Sequence, residues 1–434
     1  MRQSRLPTSI SLFTGAGGLD VGLEEAGFRT VAATDNDPVC VASLVANQSA
    51  RIPIRGCPAR RYLEETRLFT GDVAGVSAAD LRPHDVDASW TPDLLCGGPP
   101  CQPFSSAGSM RGLEDPRGRL FEHFVRLANE LRPRVILFEN VRGLVTMPGP
   151  SGIPGETLML VRQAFEAIGY WTRLALLNSA DFGAPQRRVR CFMLAARDGS
   201  PPEFPDATHS RSSASELLSD RLPWVTLGQF LATSPTAEDD DLIRPTQELE
   251  ALLRGVPDGS GLKSAGAREP TRPGGHWGYK QGTFISDPRR PARTVTTTTP
   301  DWIRLRDGSL RRLTWRECAE LQGFPTDWRF SGGYGARQRQ IGNAVPVIFG
   351  RVLGQAIRTS LARSGSDAAE SAPLPADLEA AISYTRREHR RNQAVRLEIR
   401  RRIEVGEDSS ALKGLGSAER APGAHHVAQC SPAK

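Results

Sequence analysis

Ser9-Ile10-Ser11-Leu12-Phe13-Thr14-Gly15-Ala16-Gly17-Gly18-Leu19-Asp20-Val21-Gly22-Leu23-Glu24-Glu25-Ala26-Gly27 is the stretch on which the fold turns. Its short apolar start, Ser9 to Phe13, is a strand that runs into a glycine turn. Leu19 to Ala26 then reads as a helix, with Gly27 closing it as a C-cap. Glycines let the backbone approach a ligand, and the helix N-terminus offers free N–H groups, so the unit is a nucleotide-type cradle. The spacing is not G-x-G-x-x-G, which argues against a dinucleotide. Thr30 to Thr34 is a second strand, ending at Asp35-Asn36-Asp37. A carboxylate at that strand end is where such folds accept hydrogen bonds from ribose hydroxyls. A glycine turn that binds nothing is the alternative, and Asp35 weighs against it. The expected fold is α/β, with a doubly wound, mostly parallel sheet.

Downstream, Asp93-Leu94-Leu95 is a strand-like run entering Cys96-Gly97-Gly98-Pro99-Pro100-Cys101-Gln102-Pro103-Phe104-Ser105. A cysteine held between prolines at the carboxyl end of a strand is a candidate nucleophile, and a tight turn with a buried thiol is the competing reading. Val39 to Asn47 reads as a helix, 48–70 as an irregular insertion, and Asp72 as an acid in a loop or a turn cap. Ser105 to Arg119 has little to bury and reads as a mobile lid beside Cys101. Leu120 to Leu131 is a helix. Val135 to Phe138 is a buried strand delivering Glu139-Asn140-Val141 to the same sheet edge. Thr157 to Ile168 is a further helix and Trp171 to Leu177 a strand. Alternation in Gln186-Arg187-Arg188-Val189-Arg190, leading into the strand from Cys191, sets Arg188 and Arg190 on one face. That face either contacts an anion or base, or is a solvated edge.

The 434 residues hold 39% hydrophobic and 24% charged side chains, the balance of a soluble globular protein of more than one domain. The sequence contains neither a signal-peptide core nor a membrane-length apolar run, which predicts a cytoplasmic protein, nucleoid-associated when bound to DNA. Seven cysteines without C-x-x-C pairs suit neither a disulfide framework nor a zinc site, so no metal is expected. Net charge is +6, carried almost wholly by arginine, with lysine only at 263, 280, 413 and 434. Arginine suits phosphate and guanine recognition, although a GC-rich genome produces the same bias.

Composition changes near residue 198. The expected organisation is a catalytic domain from 1–198, a loop-rich lobe over 199–310, a return to the catalytic domain over 311–361, and a tail of linker, basic helix and disordered end over 362–434. In the return segment, Thr314 and Glu317 form a capping box, Gly323 and Pro325 stop that helix, and Gln340 to about Leu361 reads as the next one. Leu378 to about Glu404 is helix-prone and arginine-rich, and either binds phosphate or is a solvated surface.

Together these motifs resemble the DNA (cytosine-5)-methyltransferase family over residues 9 to about 355. The blocks that carry the resemblance, in the family's order, are Phe13 to Gly18, Pro100-Cys101-Gln102, Glu139-Asn140-Val141, Gln186 to Arg190, Arg311 to Pro325 and Gly342-Asn343. The resemblance implies a Rossmann-like catalytic domain, S-adenosylmethionine as methyl donor, double-stranded DNA as substrate and a smaller target-recognition domain at 199–310. It implies donor-binding roles for Phe13, Gly15, Gly17, Gly18, Asp35, Asp72 and Pro100, with Asn343 bracing the nucleophile's loop. Cys101, Glu139, Arg188 and Arg190 are implied as the catalytic group. A thiolate added at carbon 6 of cytosine makes carbon 5 nucleophilic, which a weakly ionised serine could not do. An acid at ring N3 stabilises the charge that develops, the arginines hold base and flanking phosphate, and the base must leave the duplex to be reached. The reading is of a monomeric enzyme of a restriction-modification system, acting beside a cognate endonuclease or alone. An RNA-directed relative and a non-catalytic DNA-binding regulator are the alternatives; the long second lobe disfavours the first, and the presence of Cys101 and Glu139 disfavours the second.

Overall fold

The computed structural model describes residues 6–100, 120–211, 220–234, 241–262, 283–363 and 370–404. Cys101, the expected lid at 105–119 and the end of the tail lie outside them. The main sheet has seven strands: β1 Thr8–Leu12, β2 Arg29–Asp35, β3 Arg67–Thr70, β4 Leu94–Gly97, β5 Val135–Val141, β6 Trp171–Asn178 and β7 Val189–Ala196. Their spatial order is β3-β2-β1-β4-β5-β7-β6. The pairings from β3 across to β5 are parallel, and β7 runs antiparallel to both neighbours. The chain steps outward from β1 to β2 and β3, then returns to lay β4 on the other side of β1. That reversal opens a crevice at the carboxyl ends of β1 and β4, where open α/β sheets place ligands.

Helix α1 (Gly18–Glu25) follows β1, α2 (Pro38–Ala50) follows β2, α3 (Leu120–Leu131) precedes β5 and α4 (Glu156–Ala167) precedes β6. Alternation along β5 feeds both faces of the sheet. Val135 and Leu137 join Leu94, Cys96, Phe192 and Leu194 beneath Leu19 and Leu23 of α1. On the other side, Phe138 meets Phe124 of α3 and Phe165 of α4 edge to face, at centroid distances of 5.6 and 5.7 Å. Burial on both faces explains why β5 reads as an unbroken apolar run.

Two expectations need correction. Residues 67–70, read as part of an irregular insertion, form the edge strand β3 in register with Ala32 to Asp35 of β2. Gln340 to Leu361, read as one helix, is two: α6 (Tyr334–Asn343) and α7 (Val347–Ala362), after α5 (Trp315–Leu321). Pro346 denies the backbone a donor and biases its predecessor away from the helical region, so the chain turns there. The capping box of Thr314 and Glu317 forms as read. Helix α7 packs Phe349, Leu353 and Ile357 onto the sheet beside α1, returning the end of the chain to its beginning.

The loop-rich lobe carries a second sheet, β8 Ser260–Gly261, β9 Phe284–Ile285, β10 Trp302–Arg304 and β11 Leu310–Arg312, in that order. Leu253, Val256, Ile285, Trp302 and Leu310 give it a small core. The described chain divides into two compact units, 1–378 and 379–434. Helix α8 (Ala376–Glu404) supplies nearly all that is described of the second.

Candidate active site

Three acidic or aromatic side chains expected at the donor site follow three adjacent strands: Phe13 after β1, Asp35 at the end of β2 and Asp72 after β3. Phe13 has φ of 55°, a conformation that costs a bulky residue about 1–3 kcal/mol and needs support from its surroundings. The support is adjacent. Thr14 N–H donates to Thr34 O at 3.1 Å, and Gly15 N–H to Asp35 Oδ2 at 2.8 Å. Asp35 Oδ1 accepts from Asp37 N–H at 2.9 Å, so the carboxylate is fixed by backbone on both oxygens. Burial pushes the Asp35 carboxyl up, while the N–H donors of Asp37 and Gly15 draw it back. Beneath the turn, the Thr14 hydroxyl donates to Asp20, a wholly buried acid of α1 whose carboxyl is likewise raised by burial.

One side of this loop is packed and the other is open. At Gly17, with φ of 86°, a methyl group would stand 2.9 Å from Leu44, whereas at Gly15 nothing lies within 4 Å. Trp328, which donates its indole N–H to Ala16 O at 3.2 Å, closes the packed side. The open side is lined by fixed backbone and bordered by a half-buried carboxylate, which fits a ligand carrying ribose hydroxyls. Asp72 is exposed and caps the turn Val73–Gly75, its Oδ1 accepting from Ala74 N–H at 3.0 Å.

At the neighbouring strand ends the acid and one arginine come together. Glu139, 7% exposed, bonds its Oε1 to Arg190 Nε at 2.9 Å, placed by the β5–β7 register that pairs Val141 with Arg190. Burial pushes the Glu139 carboxyl above the ordinary range, against the opposing pull of Arg190 and Arg188. Its other oxygen presses on the chain after β4: a methyl on Gly98 would stand 2.5 Å from Glu139 Oε2. Asn140 Nδ2 donates to Pro99 O at 2.9 Å, fixing the backbone just ahead of exposed Pro100. The segment entering Cys101 is therefore held by both residues that follow Phe138.

The family model for C-5 cytosine-specific DNA methylases matches residues 8–359. The chain belongs to that family. It is an enzyme, a DNA (cytosine-5-)-methyltransferase. The methylase is similar to the Type II methyltransferase M.SacI of Streptomyces achromogenes, 29% identical over 383 residues that cover 81% of this chain and 93% of that protein. It also resembles the Type II methyltransferase M1.HphI of Haemophilus parahaemolyticus, 31% identical over 356 residues, covering 81% and 86%. Among solved structures, S. pombe Dnmt2 methyltransferase shares the fold with a TM-score of 0.54 at 17% identity, over 82% of this chain and 99% of that one. Entamoeba histolytica methyltransferase EhMeth does so with 0.56 at 14%, over 83% and 100%.

The two arginines of the methylase, expected on one face with one task, occupy different environments. Arg188 is 1% exposed and donates from its terminal nitrogens to Val295 O at 2.9 Å and Gly342 O at 2.7 Å. It ties the first half of the chain to the second lobe and to α6. Strand β7 begins only at Val189, so strand alternation does not reach Arg188. Beside it, buried Gln186 donates to Gln322 Oε1 at 2.8 Å and accepts from Val295 N–H at 2.9 Å, and Gln322 donates to Ile341 O. Asn343 ends α6 with an exposed side chain, next to this hub. Sequence reading missed the glutamine hub, the buried Asp20 and the role of Asn140, because isolated amides leave no periodic trace. Asp20 did carry a signal: it sits between Gly18 and Gly22, on a helix whose glycine spacing marks a closely covered face.

Proposed function

We propose that this methylase moves the methyl group of S-adenosylmethionine to carbon 5 of a cytosine turned out of duplex DNA, with Cys101 as nucleophile. The observation that carries the reading is the buried Glu139–Arg190 pair, lodged against Gly98 just past the strand that leads to Cys101. Bound S-adenosylmethionine would supply an electrophilic methyl group. Phe13, Gly15 and Asp35 would hold it in the open side of the cradle, with Gly17 and Gly18 shaping the turn from its packed side and Asp72 and Pro100 at its borders. Cys101 thiolate would add to carbon 6, and carbon 5 would take the methyl group as its bond to the donor's sulfur breaks and the donor leaves as a neutral thioether. A base would then remove the carbon 5 proton, and the carbon 6–sulfur bond would break to restore the thiolate. Glu139, kept towards its protonated form by burial, meets ring N3 as negative charge develops there. Arg190 orients that carboxyl. Arg188 acts through position, locking the second lobe and α6 to the strand end beside the acid.

Reaching a base inside a duplex requires turning it out of the stack. The lobe at 199–310 is assigned to target recognition, and Asn343 to support of the nucleophile's loop. The names of the relatives as Type II methyltransferases support a place in a restriction-modification system, where an endonuclease reads the same sequence. Tritium transfer from labelled donor to duplex DNA and to tRNA tests the reading. Label is expected in duplex DNA and lost in Cys101→Ser. Label in tRNA alone, or undiminished transfer by the serine variant, would overturn it.

A further inference from the structure

Helix α8 lies beyond the family match, which ends at residue 359, and nothing in the chemistry above uses it. It carries eight arginines against five acidic residues, a net of +3. Between residues 386 and 402 there are eight arginines and two glutamates. Residues 1–361 carry 43 basic and 39 acidic side chains, so 386–402 is a local concentration of positive charge in a chain that is mildly basic over its catalytic portion and lobe.

Arg386, Arg387, Arg390 and Arg391 are exposed on consecutive turns. They form two i,i+4 pairs of like charge, an arrangement that is unfavourable on a helix standing alone. Arg391 meets Glu388 at 3.8 Å, with both side chains more than two-fifths exposed. A helix face dense in arginine matches a row of anions, and the planar fork of arginine suits phosphate in particular. We infer that α8 grips the phosphate backbone of duplex DNA independently of its sequence, adding salt-sensitive affinity to the enzyme. This rests on duplex DNA being the substrate.

The test uses the full-length chain, a mixed-sequence DNA duplex and fluorescence anisotropy across a salt series. Each phosphate contact contributes about 0.9 to the slope of log affinity against log salt. A variant with Arg386, Arg387, Arg390 and Arg391 all changed to glutamine is expected to flatten the slope by about 0.9 or more, with helicity by circular dichroism retained and methyl transfer at low salt preserved. The same four positions changed to lysine should keep the wild-type slope. A glutamine variant whose slope stays within less than one contact of wild type overturns the proposal, as does a lysine variant that flattens equally. Should the wild-type chain fail to bind duplex DNA at all, the proposed function falls with it, which separates the two failures.

Discussion

At the scale of single residues, the proposed chemistry needs one carboxyl kept dry and aimed. Glu139→Gln preserves shape and a hydrogen-bond donor but cannot exchange a proton. Turnover should fall by about 10²–10⁴, with donor affinity by calorimetry unchanged; equal turnover would remove Glu139 from the reaction. Gly98→Ala tests the geometry from the other side, since the added methyl must displace the Glu139 carboxyl or the chain before Pro99. A drop in turnover with an unaltered melting temperature is expected, and full activity would show that the carboxyl position is not critical. The strand-end positions of Glu139 and Asp35 were legible in the sequence because strands point their terminal residues at one edge, while Cys101 lies outside the described residues. Arg188 was not legible as a tie between segments, because its partners Val295 and Gly342 are backbone carbonyls from distant parts of the chain.

Among elements, α1 and α7 decide whether the ends of the chain close on each other. Gly22 lets the backbones meet: a methyl there would stand 2.6 Å from Arg351 N and 2.8 Å from Gly350 Cα. Overpacking against backbone cannot be relieved by a rotamer, so Gly22→Ala should cost about 3 kcal/mol or more, at the upper end of such substitutions. The urea midpoint would report it, and an unchanged midpoint would refute the close packing. Gly18 and Gly22 in α1, matched by Gly350 and Gly354 in α7, were a readable sign of this contact. Strand β3 was harder to see, as a short edge strand that alternates poorly, and the α6–α7 break was hidden by apolar residues continuing past Pro346. Helix α1 also carries Glu24, buried on Leu63 N–H at 2.9 Å and pushed up to about 7 from 4.5, burial being the main cause. A raised carboxyl favours the folded state below its unfolded value and loses that advantage as pH rises through the folded one. Wild type should therefore lose roughly 3 kcal/mol relative to Glu24→Gln between about pH 4.5 and 8. Urea midpoints measured for both proteins across that range would check it, and parallel curves would contradict it.

For the whole molecule, the reversal of strand order between β1 and β4 puts the glycine turn after β1 and the Gly97–Pro100 segment at one crevice, and the return of α7 closes the core behind it. Pattern and turn chemistry made this organisation legible, whereas the small sheet of the second lobe was not, its strands being two or three residues long. The central claim is that this crevice methylates cytosine at carbon 5 through Cys101. Bisulfite sequencing of DNA from a methylation-free host expressing either the wild-type chain or Cys101→Ser tests it most directly. Wild type should protect cytosines at one recurring sequence and the serine variant none; no protection by wild type, or equal protection by both, would contradict the account.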